Sequence, residues 1–176
     1  GHAYRIMKMM MEPGKWWGDL PFKIINCMQW TAEHITSGRL QFDKSKNPQP
    51  VTYHDPCNFA RSCGITEEPR IILQASCADF REMYPNRGEN WCCGGGAGLS
   101  AMDDILEFRM TVSGKKKLEQ IRATGATYVA AACSNCKRHL GQLMDYHKTG
   151  VAVGGVHDML SRAILINGKA GERRQY

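Results

Sequence analysis

Two cysteines stand side by side in the run Trp91-Cys92-Cys93-Gly94-Gly95-Gly96-Ala97-Gly98. Adjacent cysteines do not readily bond to each other, because the eight-membered ring they would close strains the peptide and the S–S torsion. They read instead as two ligands offered to something else. The glycines that follow let the backbone approach a bulky inorganic object, take φ > 0 without a Cβ penalty and aim N–H groups at anionic sulfur. Upstream lies Cys57, in His54-Asp55-Pro56-Cys57, and downstream Cys133-Ser134-Asn135-Cys136, so the pattern is Cys, 34 residues, Cys-Cys, 39 residues, Cys-x-x-Cys. Four thiolates close a structural zinc site. A cubane [4Fe–4S] cluster also takes four, normally at short local spacings. Five thiols in three groups exceed both by one.

The elements that must carry these cysteines can be read on either side of them. Val51-Thr52-Tyr53-His54 is a short β-rich strand that ends at Asp55-Pro56 and delivers Cys57, with Pro56 stiffening the turn and keeping its neighbour extended. Residues 126–132 are small and apolar throughout, as in a parallel strand covered on both faces, and they end at Cys133. A helix over 135–147 follows, with Leu140, Leu143 and Met144 on one side. Strand, cysteine, helix thus occurs twice. In open α/β sheets, sites form beyond the carboxyl ends of the strands, where helix N-termini gather. The three cysteine groups are therefore expected to converge.

Around this core the pattern predicts a helix from Pro21 to Ser37 stopped by Gly38, a polar linker or long loop over 38–50, and a helix over 67–76 opened by Glu67-Glu68-Pro69. A turn falls at Pro85–Gly88, and one or two helices span 99–122, with Ser113-Gly114 as interruption and Gly125 as terminus. Residues 151–153 form a candidate strand, a helix opened by His157-Asp158 runs to Leu165, and 168–176 reads as a disordered tail. The first 20 residues hold Met7, Met9, Met10 and Met11 with Trp16-Trp17, and are expected to pack on this domain or on another part of the subunit. The expected fold is α/β, a Rossmann-like parallel sheet flanked by helices, with an N-terminal helical extension. The expected divisions are 1–49 for the extension, 50–167 for the cysteine-rich domain and 168–176 for the tail.

A chain of 176 residues, 43% hydrophobic, can bury one core. No apolar run reaches the ~18 residues that span a bilayer, and no signal peptide opens the chain, so it is expected to be soluble and cytoplasmic. Eight cysteines with two adjacent do not resemble a secreted disulfide scaffold, which points to a reducing compartment and metal-bound thiolates. Net charge is +6. Lys115-Lys116-Lys117 and Arg173-Arg174 read as a solvated helix face and a frayed end, and no aromatic and basic residues interleave as a nucleic-acid groove requires. The surplus suits an acidic protein partner or offsets a thiolate-ligated cluster.

The Cys…Cys-Cys-Gly…Cys-x-x-Cys arrangement over residues 50–160 resembles the cysteine-rich (CCG) domain of the B-type subunit of heterodisulfide reductase and its relatives. Among them, His54-Asp55-Pro56-Cys57-Asn58-Phe59-Ala60-Arg61 and the helix after Gly98 most resemble the C-terminal part of DsrK, the iron–sulfur subunit of the DsrMKJOP membrane complex. The resemblance implies a non-cubane [4Fe–4S] cluster on Cys57, Cys92, Cys93, Cys133 and Cys136. It also implies reduction of a disulfide or trisulfide on a DsrC-like sulfur-carrier protein, and attachment to the membrane through the other subunits of a redox complex. His54, Lys137 and His139, with Arg138 beside them, are then the candidate proton donors or anion stabilisers. Ser134 and Asn135 are placed to hydrogen-bond cluster sulfur or cap the following helix. Cys27, Cys63 and Cys77 fall outside the motif and read as packing thiols. Two alternatives stay open: an electron-transfer subunit for lactate or glycerol-3-phosphate oxidation, and a zinc-bound structural or interaction module.

Overall fold

Four short strands form one sheet: β1 (Pro50–His54), β2 (Asp79–Arg81), and the strands β3 (Tyr128–Ala131) and β4 (Ala152–Gly155), in which small and β-branched residues predominate. Their order is β2-β1-β3-β4 and every pairing is parallel. The computed structural model describes residues 1–11, 21–166 and 169–170. Trp16-Trp17 and all of the 168–176 tail except Lys169-Ala170 lie outside the described residues. The helices are α1 (His2–Met11), α2 (Cys27–Thr36), α3 (Cys57–Cys63), α4 (Glu67–Ser76), the short α5 (Leu106–Phe108), α6 (Lys115–Thr124), α7 (Ser134–Tyr146) and α8 (Val156–Ala163). The architecture is the expected α/β fold, a parallel sheet with flanking helices and an N-terminal helix. Among the described residues no helix is long and apolar enough to cross a membrane.

Register decides which side chains meet. Thr52 pairs with Val129 and His54 with Ala131, so these four share one face, while Val51, Tyr53, Tyr128 and Ala130 share the other. The second face packs with Met28, Phe59, Ile72, Leu73, Val156 and Met159. On the first, Val129 and Ala131 pack with Met83, Met110, Leu118, Ile121, Leu140, Leu143 and the two cysteines Cys93 and Cys136. His54, 1% exposed, therefore points toward the cysteine side of the sheet.

Several boundaries differ from the sequence expectation, each for a local reason. The helix expected from Pro21 begins at Cys27, because the Asn26 side chain accepts the Met28 N–H at 2.9 Å and caps it there. The 38–50 stretch is no free linker: Asn47 is fully buried and its amide donates to the Ser76 and Met159 carbonyls, both at 2.8 Å. Strand β2, three residues long, is too short to show an alternating pattern. In place of regular helix before Gly114, residues 97–113 form 3-10 turns at Ala97–Ala101 and Asp103–Ile105, then α5, then a π turn at Arg109–Ser113. On α1, Tyr4 packs against the core and donates to Gln29 Oε1 at 2.8 Å, whereas Ile6, Met7 and Met9 are exposed.

A buried ion network fixes the end of β1. Arg70 on α4 grips Asp55 with two hydrogen bonds, at 2.9 and 2.7 Å, and reaches Glu82 at 2.6 and 3.0 Å. Asp55 also accepts the Arg87 backbone N–H at 2.8 Å. Asp55 precedes Cys57 by two residues, so this pair sets where the first cysteine leaves the sheet. Replacing Arg70 by Met strands the Asp55 carboxylate in the core, and is expected to destabilise the fold by about 3–5 kcal/mol, read as a lower denaturant midpoint. A midpoint equal to wild type would refute this role.

Candidate metal centre

Each cysteine group arrives by a different element. Cys57 opens α3 directly after β1, and Cys133 and Cys136 occupy the start of α7 directly after β3. The Cys92-Cys93 turn comes in from the loop that follows β2. Together the five line one cavity of about 180 Å³, with Asn58, Gly95, Gly96, Ala97 and Asn135 completing its wall. Cys57 and Cys92 are exposed, Cys133 is half-buried, and Cys93 and Cys136 are buried with their sulfurs 3.5 Å apart. All eight cysteines are free thiols, and Cys27, Cys63 and Cys77 do not line this cavity. Cys63 instead faces the Gly1 carbonyl at 3.8 Å, and Cys77 packs against Ser76.

The glycine run is required by close approach. Gly94 has φ +92°, and a Cβ there would lie 2.5 Å from the Ser113 carbonyl oxygen. The Ser113 hydroxyl in turn donates to the Gly94 carbonyl at 2.9 Å, so the turn is clamped to the π turn. The freed N–H groups of Gly94 and Gly95 point at the sulfurs of Cys92 and Cys93, each at 3.5 Å. The Asn58 amide does the same for Cys57 at 3.6 Å. Donors aimed at sulfur favour its anionic form. A second brace joins the first two cysteine segments: Arg61 on α3 donates to the Gly88 carbonyl at 2.7 Å and the Asn90 carbonyl at 2.5 Å, just before Trp91-Cys92.

Protons are unevenly shared among the thiols. The Cys136 and Cys92 thiols donate to Cys93 and hold its pKa far below the usual thiol range. Cys133 is brought down to about 5 by the Cys136 thiol, helped by the backbone N–H groups of Cys136 and Asn135 at the start of α7. The donors move the other way: Cys136 is pushed up by giving its proton toward Cys133 and Cys93, and Cys92 by giving its own toward Cys93. Neutral pH thus finds soft sulfur anions at the base of the cavity, which is the donor chemistry of iron and zinc.

Of the candidate proton-handling residues, two stand close and one does not. A ring nitrogen of His54 and the sulfurs of Cys93 and Cys136 all lie within 4.8 Å of one another, and neither ring nitrogen has a hydrogen-bond partner among the described residues. Burial lowers the His54 pKa, so the ring is neutral at pH 7. His139, fully buried, sits against Gly95, and burial lowers its pKa as well. Lys137 lines a separate cavity of about 150 Å³ with Ser134, His157 and Asp158. Arg138 is exposed. Sequence reasoning missed the braces Arg61 and Arg70, and it misread Lys117. That residue lies in the basic run taken as solvated, yet it is fully buried, because on α6 it shares a face with Ile121 four residues on.

The profile of the cysteine-rich domain designated CCG matches residues 51–141, more than half of the sequence and all five of these cysteines. The chain belongs to the CCG cysteine-rich domain family. Among relatives of this CCG chain, the Hdr-like menaquinol oxidoreductase iron-sulfur subunit 2 of Archaeoglobus fulgidus is 30% identical over 160 residues, covering 86% of this chain and 29% of that protein. One subunit of the dihydromethanophenazine:CoB–CoM heterodisulfide reductase of Methanosarcina barkeri is 30% identical over 147 residues, 83% of this chain and 35% of that protein. A probable membrane-anchored ferredoxin of Chromohalobacter salexigens is 32% identical over 152 residues, 83% of this chain and 21% of that protein. The chain spans about a third or less of the length of these curated relatives.

The CCG turn itself yields a prediction. Gly94→Ala places a methyl group against the Ser113 backbone at a left-handed φ, and is expected to cost at least about 1–3 kcal/mol. Thermal melts of the metal-free protein should show it, together with reduced metal uptake on reconstitution. A variant with unchanged melting and metal content would refute the clamp.

Proposed function

We propose that this chain is the iron–sulfur domain of a heterodisulfide-reductase-like oxidoreductase subunit, of the DsrK type, within a membrane-associated redox complex. It would hold a non-cubane [4Fe–4S] cluster on Cys57, Cys92, Cys93, Cys133 and Cys136, and reduce a disulfide or trisulfide carried by a DsrC-like protein. The observation that carries this reading is the single cavity of about 180 Å³ lined by five thiols from three segments. Five soft donors, two of them ionised through their neighbours and two facing backbone N–H groups, suit an iron–sulfur cluster better than a four-ligand zinc site. Such a cluster supplies single electrons and an iron that a substrate sulfur can engage.

The chain's own residues supply the rest. Cys57 and Cys92 are exposed, so an incoming sulfur on a flexible polypeptide arm meets the cavity from their side, while Cys93 and Cys136 form a closed base. Reducing one S–S bond takes two electrons and two protons and yields two thiols. His54 is the group beside the base sulfurs that can hold a proton, with His139 behind the glycine turn. Lys137 and Arg138, on the first turns of α7, offer positive charge to an acidic partner and to thiolates released outside the cavity. A zinc-bound structural module is the second reading, favoured by the compact trio of His54, Cys93 and Cys136.

Anaerobically purified protein is expected to be brown, with about four irons per chain. One zinc and no colour would establish the second reading instead. The reduced, iron-loaded protein, mixed in parallel with oxidised DsrC-like protein and with a small heterodisulfide, is expected to release thiols from the protein substrate. Turnover of the small molecule alone would overturn the partner, and full activity in Cys93→Ser would overturn the site.

A further inference from the structure

Two cations lie inside the protein near the buried side of the cysteine cavity. Lys117 is fully buried; its Nζ donates to Gln120 Oε1 at 2.5 Å and stands 3.8 Å from the Met83 sulfur. Arg109, in the π turn, is 2% exposed. Its Nη1 donates to Gln142 Oε1 at 3.1 Å and stands 3.4 Å from His139 Nδ1, its Nη2 donates to the Met102 carbonyl at 3.1 Å, and its Nε has no partner among the described residues. Among those residues no carboxylate lies within ion-pair distance of either cation. Asp55, whose charge does reach Lys117, is already gripped by Arg70 at 2.7 and 2.9 Å.

A buried cation without a counter-charge is among the most costly arrangements a core can hold. Something negative must face these two. Burial pulls the Lys117 pKa down to about 8, and the groups that oppose this pull are Asp55 first and then the cysteine sulfurs, Cys93 foremost. Lys117 also bears on His54, and Arg109 on His139, and both of these imidazoles are neutral through burial and close to Cys93. Arg109 thus stands against one imidazole, Lys117 against the Met83 that packs with Cys93 and Cys136, and neither cation lines the cavity itself. Positive charge on the surface would be screened by salt, whereas charge held here is not.

On the iron–sulfur reading given above, we propose that Lys117 and Arg109 are the fixed counter-charges of the site and favour its reduced state. When a low-potential one-electron reductant delivers an electron, no bond forms or breaks and the net charge of the site falls by one unit. Fixed positive charge in low-dielectric surroundings stabilises that product more than the oxidised form. The two are positioning residues, since they act through field rather than by touching substrate.

The test compares anaerobically reconstituted full chains: wild type, Lys117→Met, Lys117→Arg, Arg109→Met and Arg109→Lys. Iron content is measured first, then the midpoint potential by dye-mediated titration with dithionite, followed by absorbance and electron paramagnetic resonance. Both Met variants are expected to shift to more negative potential at wild-type iron content, while Lys117→Arg and Arg109→Lys stay near wild type. Unmoved potentials in both Met variants at matched iron would overturn the inference and leave the iron–sulfur reading intact. A wild type without iron would overturn that reading and this inference with it. Loss of iron from Lys117→Met alone supports the same charge requirement in stronger form. Loss from both Lys117→Met and Lys117→Arg marks a packing role and overturns it.

Discussion

The parallel pairing of β1 with β3 is the constraint on which the rest depends. It sets His54 opposite Ala131, and because both strands then end at the same edge, the residues just beyond them, Cys57 and Cys133, leave the sheet side by side. A slip by one residue would turn His54 to the opposite face and carry Tyr53 out of its cluster. The buried Arg70–Asp55 pair guards against this slip, since a shifted strand would carry the carboxylate immediately after β1 away from the Arg70 guanidinium. The Arg61 brace then ties the Cys92-Cys93 approach to α3, so two of the three cysteine segments are joined directly.

Electrostatics and packing are not separable in this site. The Cys136 thiol, helped by the N–H groups at the start of α7, lowers Cys133, the glycine turn lends N–H groups to Cys92 and Cys93, and the thiols hand protons among themselves so that charge concentrates on Cys93. At Cys93 and Cys136 these effects are strengthened by low polarity, since the apolar cluster of Met83, Met110, Leu118 and Leu140 packs against both.

Much of this was legible from residue spacing, and the parts that were not have definite causes. Strands ending in cysteines, helix α4 over 67–76 and the stop at Gly125 follow from local chemistry, which a linear pattern records. The grouping of the five cysteines in one cavity follows from topology, because parallel strands deliver their ends to one edge. Strand β2 escaped because three residues carry no period. The interruption at Ser113-Gly114 was legible, but its form, a π turn whose Ser113 backbone meets Gly94, rests on a tertiary contact that no local signal encodes. Lys117 escaped because its neighbours Lys115 and Lys116 are exposed, and a run of like charges hides the one member that turns inward. Arg61 stood inside the motif that carried the resemblance, but a role that consists of two bonds to distant carbonyls has no signature in sequence.

The contact between Gly94 and the π turn leaves no slack. Where a side chain would normally cushion the approach, backbone meets backbone, with the Ser113 carbonyl in the space a Cβ would fill. The Ser113 backbone against which the turn rests belongs to a segment whose Phe108 and Val112 are exposed. The cysteine turn is thus joined, backbone to backbone, to the stretch that presents those two side chains at the surface.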